Sequence, residues 1–198
     1  MIGGELLGAY CLSEPGSGSD AAALVTRAES IDGGYRLNGT KAWITHGGVA
    51  DFYTVMARTG EHRTKGISCF LVEGDSDGLS AAAPEDKMGM RGSRTAQVIL
   101  DDVAIPADRL IGAEGEGFTI AMAALDAGRL GIAACAVGVA QAALTEAVAY
   151  ANTRKQFGQA IAEFQGISFM IADMATGVEA ARSLYLSAAR RKDAGLDY

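Results

Sequence analysis

The densest chemistry in this 198-residue sequence lies in Tyr10-Cys11-Leu12-Ser13-Glu14-Pro15-Gly16-Ser17-Gly18-Ser19-Asp20. It runs from a strand-like end into a Gly/Ser loop, where free backbone N–H groups and hydroxyls can hold a phosphate or the polar edge of a heterocycle. An ordinary flexible turn has the same composition. The stretch is not a Walker loop, which needs Lys-Ser/Thr after the glycines, nor a GxGxxG strand-turn-helix. A second cluster is Asn38-Gly39-Thr40-Lys41-Ala42-Trp43-Ile44-Thr45-His46-Gly47-Gly48. Its tryptophan, the only one in the chain, precedes Thr45 by two. Strand periodicity puts both on one face, where an indole plane and a hydroxyl can meet a flat ligand. A half-buried core tryptophan is the plainer reading. No carboxylate stands at a useful spacing from His46, which reads as a surface loop residue rather than a general base.

Positioning these clusters requires strands before about residue 110 and helices after it. Short β-branched or aromatic segments, Leu24 to Ile31, Tyr35 to Asn38, Lys41 to Thr45, Asp51 to Arg58, Gly66 to Glu73 and Thr95 to Asp101, alternate with turn residues, the pattern of an antiparallel sandwich or barrel. Asp32-Gly33-Gly34 between two of them signals a hairpin. After Gly117 there is no proline, and helix-favouring Ala, Leu, Met, Gln and Glu dominate. Phe164, Ile167, Ile171, Met174, Val178, Ala181, Tyr185 and Ala188 step by 3 and 4, which lays one apolar stripe along a helix. The preceding segment, about Phe118 to Thr153, is apolar on most faces, and Gly128, Gly131 and Gly138 suit close helix approach. The expected fold class is α+β, an antiparallel β-sandwich or barrel followed by a long antiparallel helical hairpin. The hairpin's wide apolar faces call for further partners.

Composition narrows the function. Lys and Arg number 17 against 24 Asp and Glu, a formal charge of −7 with pI ≈ 4.8, which argues against a nucleic-acid binder. Hydrophobic residues at 49% and charged residues at 21% exclude a disordered chain. Cys11, Cys69 and Cys135 lack CxxC spacing and only two histidines are present, so neither a disulfide framework nor a metal site is expected. The MIGGELLGAY start has no basic, apolar signal-peptide pattern. The uncharged run Leu130 to Ala140 falls short of the ~18 residues of a membrane span. A cytoplasmic protein with reduced thiols and no transmembrane segment is expected.

Taken together, the segments resemble the acyl-CoA dehydrogenase family of flavoproteins. The resemblance rests on Ala9 to Asp20, Trp43-Ile44-Thr45, Val103-Ala104-Ile105-Pro106, Gly115-Glu116-Gly117-Phe118, and Arg154-Lys155-Gln156-Phe157-Gly158 followed by Phe164-Gln165, in order over essentially the whole chain. It implies FAD as cofactor, an acyl-CoA substrate, an electron-transfer flavoprotein as acceptor, and a homodimer or homotetramer. Tyr10, Leu12 and Ser13 would lie beside the isoalloxazine, Trp43 and Ile44 against the ring, with the Thr45 hydroxyl near N5. Ser19 would contact cofactor or thioester ligand, and Asp126 and Arg129 match substrate-side positions, although Arg129 equally suits a helix-surface ion pair. Arg154, Phe157 and Gln165 match residues that reach the FAD of a neighbouring subunit.

The resemblance also implies a domain organisation, 1–108 as a flavin- and acyl-CoA-contacting β domain and 109–198 as part of a helical bundle. The family's amino-terminal helical domain and the end of its bundle have no counterpart here, which suggests a fragment. The family draws its catalytic glutamate from a Tyr-Glu-Gly-Thr segment, expected beyond Tyr198, or from the position of Gly128, which has no side chain to serve as a base. Glu14, Glu114, Glu116, Glu146 and Glu163 match neither position, and no catalytic residue is assigned. Other readings are an acyl-CoA oxidase or flavin monooxygenase of the same fold, or an inactive binding or assembly module.

Overall fold

The computed structural model describes residues 4–198. Eight strands form one sheet: β1 (Gly8–Cys11), β2 (Arg27–Ile31), β3 (Gly34–Thr45), β4 (Phe52–Arg58), β5 (Ile67–Glu73), β6 (Leu79–Ala81), β7 (Thr95–Pro106) and β8 (Leu110–Ile111). The order is β6-β7-β3-β2-β4-β5-β8, with β1 on β4. The expected hairpin closes at Asp32-Gly33, with Gly33 at φ +79° and Ile31 paired to Gly34. Two 12-residue strands, β3 and β7, replace the shorter segments read from sequence, because bulges carry the chain past Gly39 and Trp43 without ending the ladder.

The sheet is mixed rather than wholly antiparallel: β1 pairs parallel with β4 from Gly8↔Phe52 to Cys11↔Val55, and β2 meets β4 in parallel at Arg27↔Arg58. Turn residues reveal hairpins between neighbours in sequence, whereas β1 reaches β4 across about 40 intervening residues that carry no pairing signal. Leu37, Tyr53, Val55, Phe70, Val72, Val98 and Val103 build the main core, with the Tyr35 ring tilted against Phe70 at 4.9 Å between ring centroids. Strand β5 is buried on both faces from Ile67 to Phe70.

Two helices follow, α1 (Gly117–Thr153) and α2 (Gln165–Asp193), joined by a small hairpin of β9 (Lys155–Gln156) and β10 (Gln159–Ala160). The chain divides into two compact units between Ala123 and Ala124. The first unit holds all eight strands of the large sheet, and the boundary at residue 108 that the resemblance implied falls inside it. Its last segment is the opening of α1, where Ala121 is buried and its carbonyl accepts a 3.2 Å hydrogen bond from the Tyr10 hydroxyl.

In the second unit α1 and α2 run antiparallel: Arg182 donates to Gln141 Oε1 at 2.7 Å, and an apolar groove of about 490 Å³ lies between Ala136–Leu144 and Met174–Ala181. Of the expected stripe, Val178 is buried on α2, Ile167, Ile171, Tyr185 and Ala188 are half-buried as is Phe164 just before the helix, and Met174 and Ala181 are exposed. Arg190, Arg191 and Lys192 occupy its last turn, where cations complement the helix dipole. Gly128, Gly131 and Gly138 have nothing within 4 Å of the place a Cβ would take, so the described residues show no close approach there.

By length and composition α1 could cross a membrane, its most apolar 18-residue window having a mean hydropathy of 1.6. A core helix of a folded domain meets the same length and hydropathy test, so the window does not by itself mark a membrane span.

Candidate functional site

Strand β1 ends at Cys11, and the next two residues are clamped from below. Lys41 Nζ donates to the Leu12 carbonyl at 3.2 Å, and the Ala42 N–H donates to the Ser13 carbonyl at 2.9 Å. The loop then folds on itself, Glu14 and Ser17 exchanging backbone hydrogen bonds of 2.8 and 3.1 Å. Gly16 and Gly18 open onto free space, which leaves this stretch of backbone bare, and Ser19 is exposed beyond it. Asp20 is gripped by Arg63 through two hydrogen bonds of 2.8 and 2.9 Å.

Trp43 directly follows this loop's anchors on β3, Lys41 and Ala42. Between Lys41↔Val98 and Ile44↔Ala96 the β3 ladder has one residue too many, and Trp43 sits in the bulge at φ +61° with its side chain 66% exposed. A left-handed φ on a bulky residue costs about 1 kcal/mol or more and persists where the surroundings impose it. An exposed indole forced into that conformation is poorly explained by core packing. From Ala42 onward alternation is regular: Ala42 and Ile44 are buried, Trp43 and Thr45 exposed on the same side. His46, also at φ +65°, ends the strand by a 3.0 Å contact from its Nδ1 to the Gly8 carbonyl. It ties β1 to β3 and is half-buried rather than free on the surface.

Tyr10 is half-buried behind the loop. Burial, with the Cys69 sulfur adding to it, pushes its phenol up to about 12, so it stays protonated as the donor to Ala121. Cys11 and Cys69 are buried free thiols, Cys11 pushed by burial to about 12 against the pull of Lys41, Cys69 by burial to about 11. Neither is a thiolate at neutral pH.

The residues that sequence reading passed over are Lys41 and, in this role, Glu14. Their side chains are 0% and 3% exposed and pair at 2.8 Å. Burial alone would raise the Glu14 carboxyl, but the Lys41 ammonium and hydrogen bonds from Lys41 and the Val25 N–H hold it below its usual range. A lysine two residues before an exposed tryptophan should share its exposed face by strand periodicity. The bulge reverses it, and the one available signal was an acid and a base, one inside each of the two chemical clusters.

In the second unit, Phe157 and Gly158 form the tip of the β9–β10 hairpin at φ +53° and +85°. Phe157 is 94% exposed, with its ring edge-on to Phe164 at 6.2 Å. The turn is fixed by its own backbone: Arg154 N–H donates to the Tyr150 carbonyl and Ile161 N–H to the Arg154 carbonyl, each at 2.9 Å. Arg154 and Gln165 are exposed. On α1, Asp126 and Arg129 form an i,i+3 ion pair at 2.7 Å on the rim of an apolar groove of about 890 Å³, which Leu184 and Tyr185 also line. Gly128 stands between them without a side chain. The structure thus brings Tyr10, Leu12 and Ser13 beside Trp43, Ile44 and Thr45 in one unit. Arg154, Phe157 and Gln165 gather at the hairpin of the other. No cluster of three metal-ligating side chains occurs among the described residues.

In the first unit an exposed indole, hydroxyls and bare backbone suit a flat ring with a polar edge; in the second, taken by itself, an arginine beside an aromatic turn suits an anionic group. These are groups that FAD could use, and the residues present fit it. Residues 9–103 match the acyl-CoA dehydrogenase middle domain and residues 115–197 the acyl-CoA dehydrogenase C-terminal domain. An acyl-CoA dehydrogenase of Bacillus subtilis is 50% identical over 198 residues, all of this chain and 52% of that protein. The structure of butyryl-CoA dehydrogenase from Megasphaera elsdenii is 45% identical with a TM-score of 0.93, covering 98% of this chain and 51% of that one. An FAD complex of PigA is 32% identical with a TM-score of 0.92, covering 97% and 50%. The chain belongs to the acyl-CoA dehydrogenase family, FAD is the cofactor these comparisons support, and α1 is a helix of the family's C-terminal domain. It spans about half the length of the curated relatives it matches.

Proposed function

We propose that the protein is an FAD-dependent acyl-CoA dehydrogenase, converting an acyl-CoA thioester to the trans-2-enoyl-CoA. The observation that carries this reading is the strained, exposed Trp43 next to Ala42, whose N–H holds the Ser13 carbonyl and so fixes the Leu12–Ser13 segment near it. When bound, FAD supplies the acceptor for the hydride leaving the substrate's β-carbon. Trp43 would cover the ring and keep water from it, with Ile44 on the opposite, buried face of the strand supporting it from the core. The Thr45 hydroxyl would donate near N5, and the backbone and hydroxyl of Ser13, supported by Tyr10 and Leu12, would serve the polar edge. By the family resemblance, Ser19 in the first unit and Asp126 and Arg129 in the second would each serve the acyl-CoA. Gly128, at the family's alternative position, offers no carboxylate, so the α-proton would go to the glutamate of a Tyr-Glu-Gly-Thr segment, which these residues do not contain. Arg154, Phe157 and Gln165 reach FAD held mainly by a second subunit, which makes the working form a homodimer or homotetramer. Electrons pass on to an electron-transfer flavoprotein, in the cytoplasm. The test is spectroscopic: the holoprotein should be yellow and bleach on anaerobic addition of acyl-CoA. Peroxide formed in air at the turnover rate would favour an oxidase instead.

Two substitutions separate cofactor binding from folding. Trp43→Ala should weaken FAD binding by about 10-fold through lost stacking. The unfolding free energy of the apoprotein should stay within ~0.5 kcal/mol, since an exposed side chain contributes little to stability. Flavin titration followed by denaturant unfolding of each form checks both. Arg154→Ala should cost ~1.5–3 kcal/mol of FAD affinity if the guanidinium grips the pyrophosphate. Flavin retained at parental levels on dilution would remove that role.

A further inference from the structure

The Lys41–Glu14 pair has no place in the site assigned so far, yet it is the most deeply buried charge in the described structure. Glu14 is fully employed: Oε1 accepts from Lys41 at 2.8 Å and from the Thr26 N–H at 3.0 Å, Oε2 from the Val25 N–H at 2.7 Å. Lys41 divides its ammonium between Glu14 and the Leu12 carbonyl. A buried ion pair is roughly break-even against well-packed apolar residues, so stability is a weak reason for one here. What an apolar pair could not reproduce is the grip on Leu12.

That grip has a geometric consequence. The Leu12–Ser13 peptide is planar and trans, so a carbonyl drawn inward to Lys41 turns the Ser13 N–H to the opposite side. The next carbonyl, of Ser13, is drawn to the Ala42 N–H, which fixes the segment at a second point. A cation at the carbonyl oxygen also draws electron density from the peptide and strengthens its N–H as a donor. Leu12 is buried and Ser13 half-buried, so the polarised donor is turned toward the outer side of the loop.

We infer that Lys41 and Glu14 are positioning residues for the flavin: they hold the Leu12–Ser13 peptide so that a polarised Ser13 N–H meets the acceptor edge of the ring, favouring the electron-rich reduced flavin over the oxidised one. The inference rests on the flavin reading above and adds a cause for its redox bias. Glu14 keeps the buried cation neutralised, so that the bias comes from the aligned peptide and not from a bare charge.

The full-length holoprotein tests it through the flavin midpoint potential and the FAD dissociation constant, measured beside unfolding. Lys41→Met/Glu14→Gln removes both charges together. It should bind oxidised FAD within about 3-fold of the parent but lose about 10-fold of its preference for reduced flavin, the worth of one charge-assisted donor. The midpoint potential therefore falls. Glu14→Gln alone leaves the ammonium on Leu12 and should move the potential the other way. A potential at the parental value in either variant overturns the inference, whatever happens to stability. So does a folded variant that takes up neither redox state, because positioning predicts a differential effect. If the double variant does not fold, the single variant decides by the direction of its shift. A parent protein without flavin absorbance would instead overturn the flavin reading itself.

Discussion

Lys41→Met should lower the unfolding free energy by about 3–5 kcal/mol at neutral pH, because it removes one partner of a buried ion pair and leaves the other charge in place. Methionine nearly matches the lysine stem in volume, so cavity formation contributes little, and the cost is electrostatic. The side chain of Glu14 is only 3% exposed and would keep two backbone donors but lose its counter-charge. Adding Glu14→Gln should recover much of the loss, and non-additivity in this cycle measures the coupling of the pair. Denaturant unfolding of the two single variants and the double variant gives the answer directly.

The same pair fixes the sign of an acid effect. In the parent, Glu14 titrates below its ordinary 4.5 in the fold, so its stabilisation is fully present above 4.5 and is lost as pH falls through the lowered folded value. Lys41→Met removes the Coulombic pull and one hydrogen bond, and burial then raises the Glu14 carboxyl relative to the parent. The gap between folded and unfolded values narrows. The variant therefore starts less stable at pH 7 but loses less on acidification below 4.5, and the two stability curves converge. Parallel curves would mean that Glu14 does not feel Lys41.

Some of this was legible in the residues and some could not be. Helix α2 was, because a stripe from Phe164 to Ala188 recurs every 3 or 4 residues and one apolar face suffices to place a helix. The β2–β3 hairpin was, because Asp32-Gly33 supplies the turn chemistry next to alternating strands. The parallel β1–β4 pairing was not, since no local residue pattern encodes which distant strand becomes a neighbour. The two chemical clusters announced themselves by residue type, yet their support did not. A single bulged residue, Trp43, turned Lys41 from an expected exposed position into the core, and period-2 reasoning has no term for an inserted residue. Phe157 was legible only through the resemblance: its left-handed turn position would favour Asn or Gly, so its aromatic side chain runs against local preference at a place assigned to cofactor.

Gly117→Ala should destabilise the protein by about 2–3 kcal/mol, the upper part of the range for overpacking a tight contact. A Cβ on Gly117 would lie 2.4 Å from the Ser68 carbonyl carbon, 2.6 Å from its oxygen and 2.7 Å from its Cα. These are backbone atoms of β5, buried in the sheet, and they cannot step aside as a flexible side chain would. Ser68 is also anchored through its hydroxyl, which accepts the Gly115 N–H at 3.0 Å and meets Thr59 Oγ1 at 2.8 Å. Relief must come from the start of α1, whose displacement would carry Ala121 away from the Tyr10 hydroxyl and disturb the loop beyond it. Against this stands helix propensity, which favours alanine over glycine by no more than about 1 kcal/mol and less in a first turn. Steric conflict therefore wins at Gly117. At Gly128, in the interior of the same helix with nothing within 4 Å, propensity acts alone and Gly128→Ala should stabilise the 198-residue chain by ~0.5–1 kcal/mol. Opposite signs for one substitution at two places on one helix, read as midpoint shifts in urea, establish that α1 is fastened to β5 at its first residue. Equal signs would dissolve that contact.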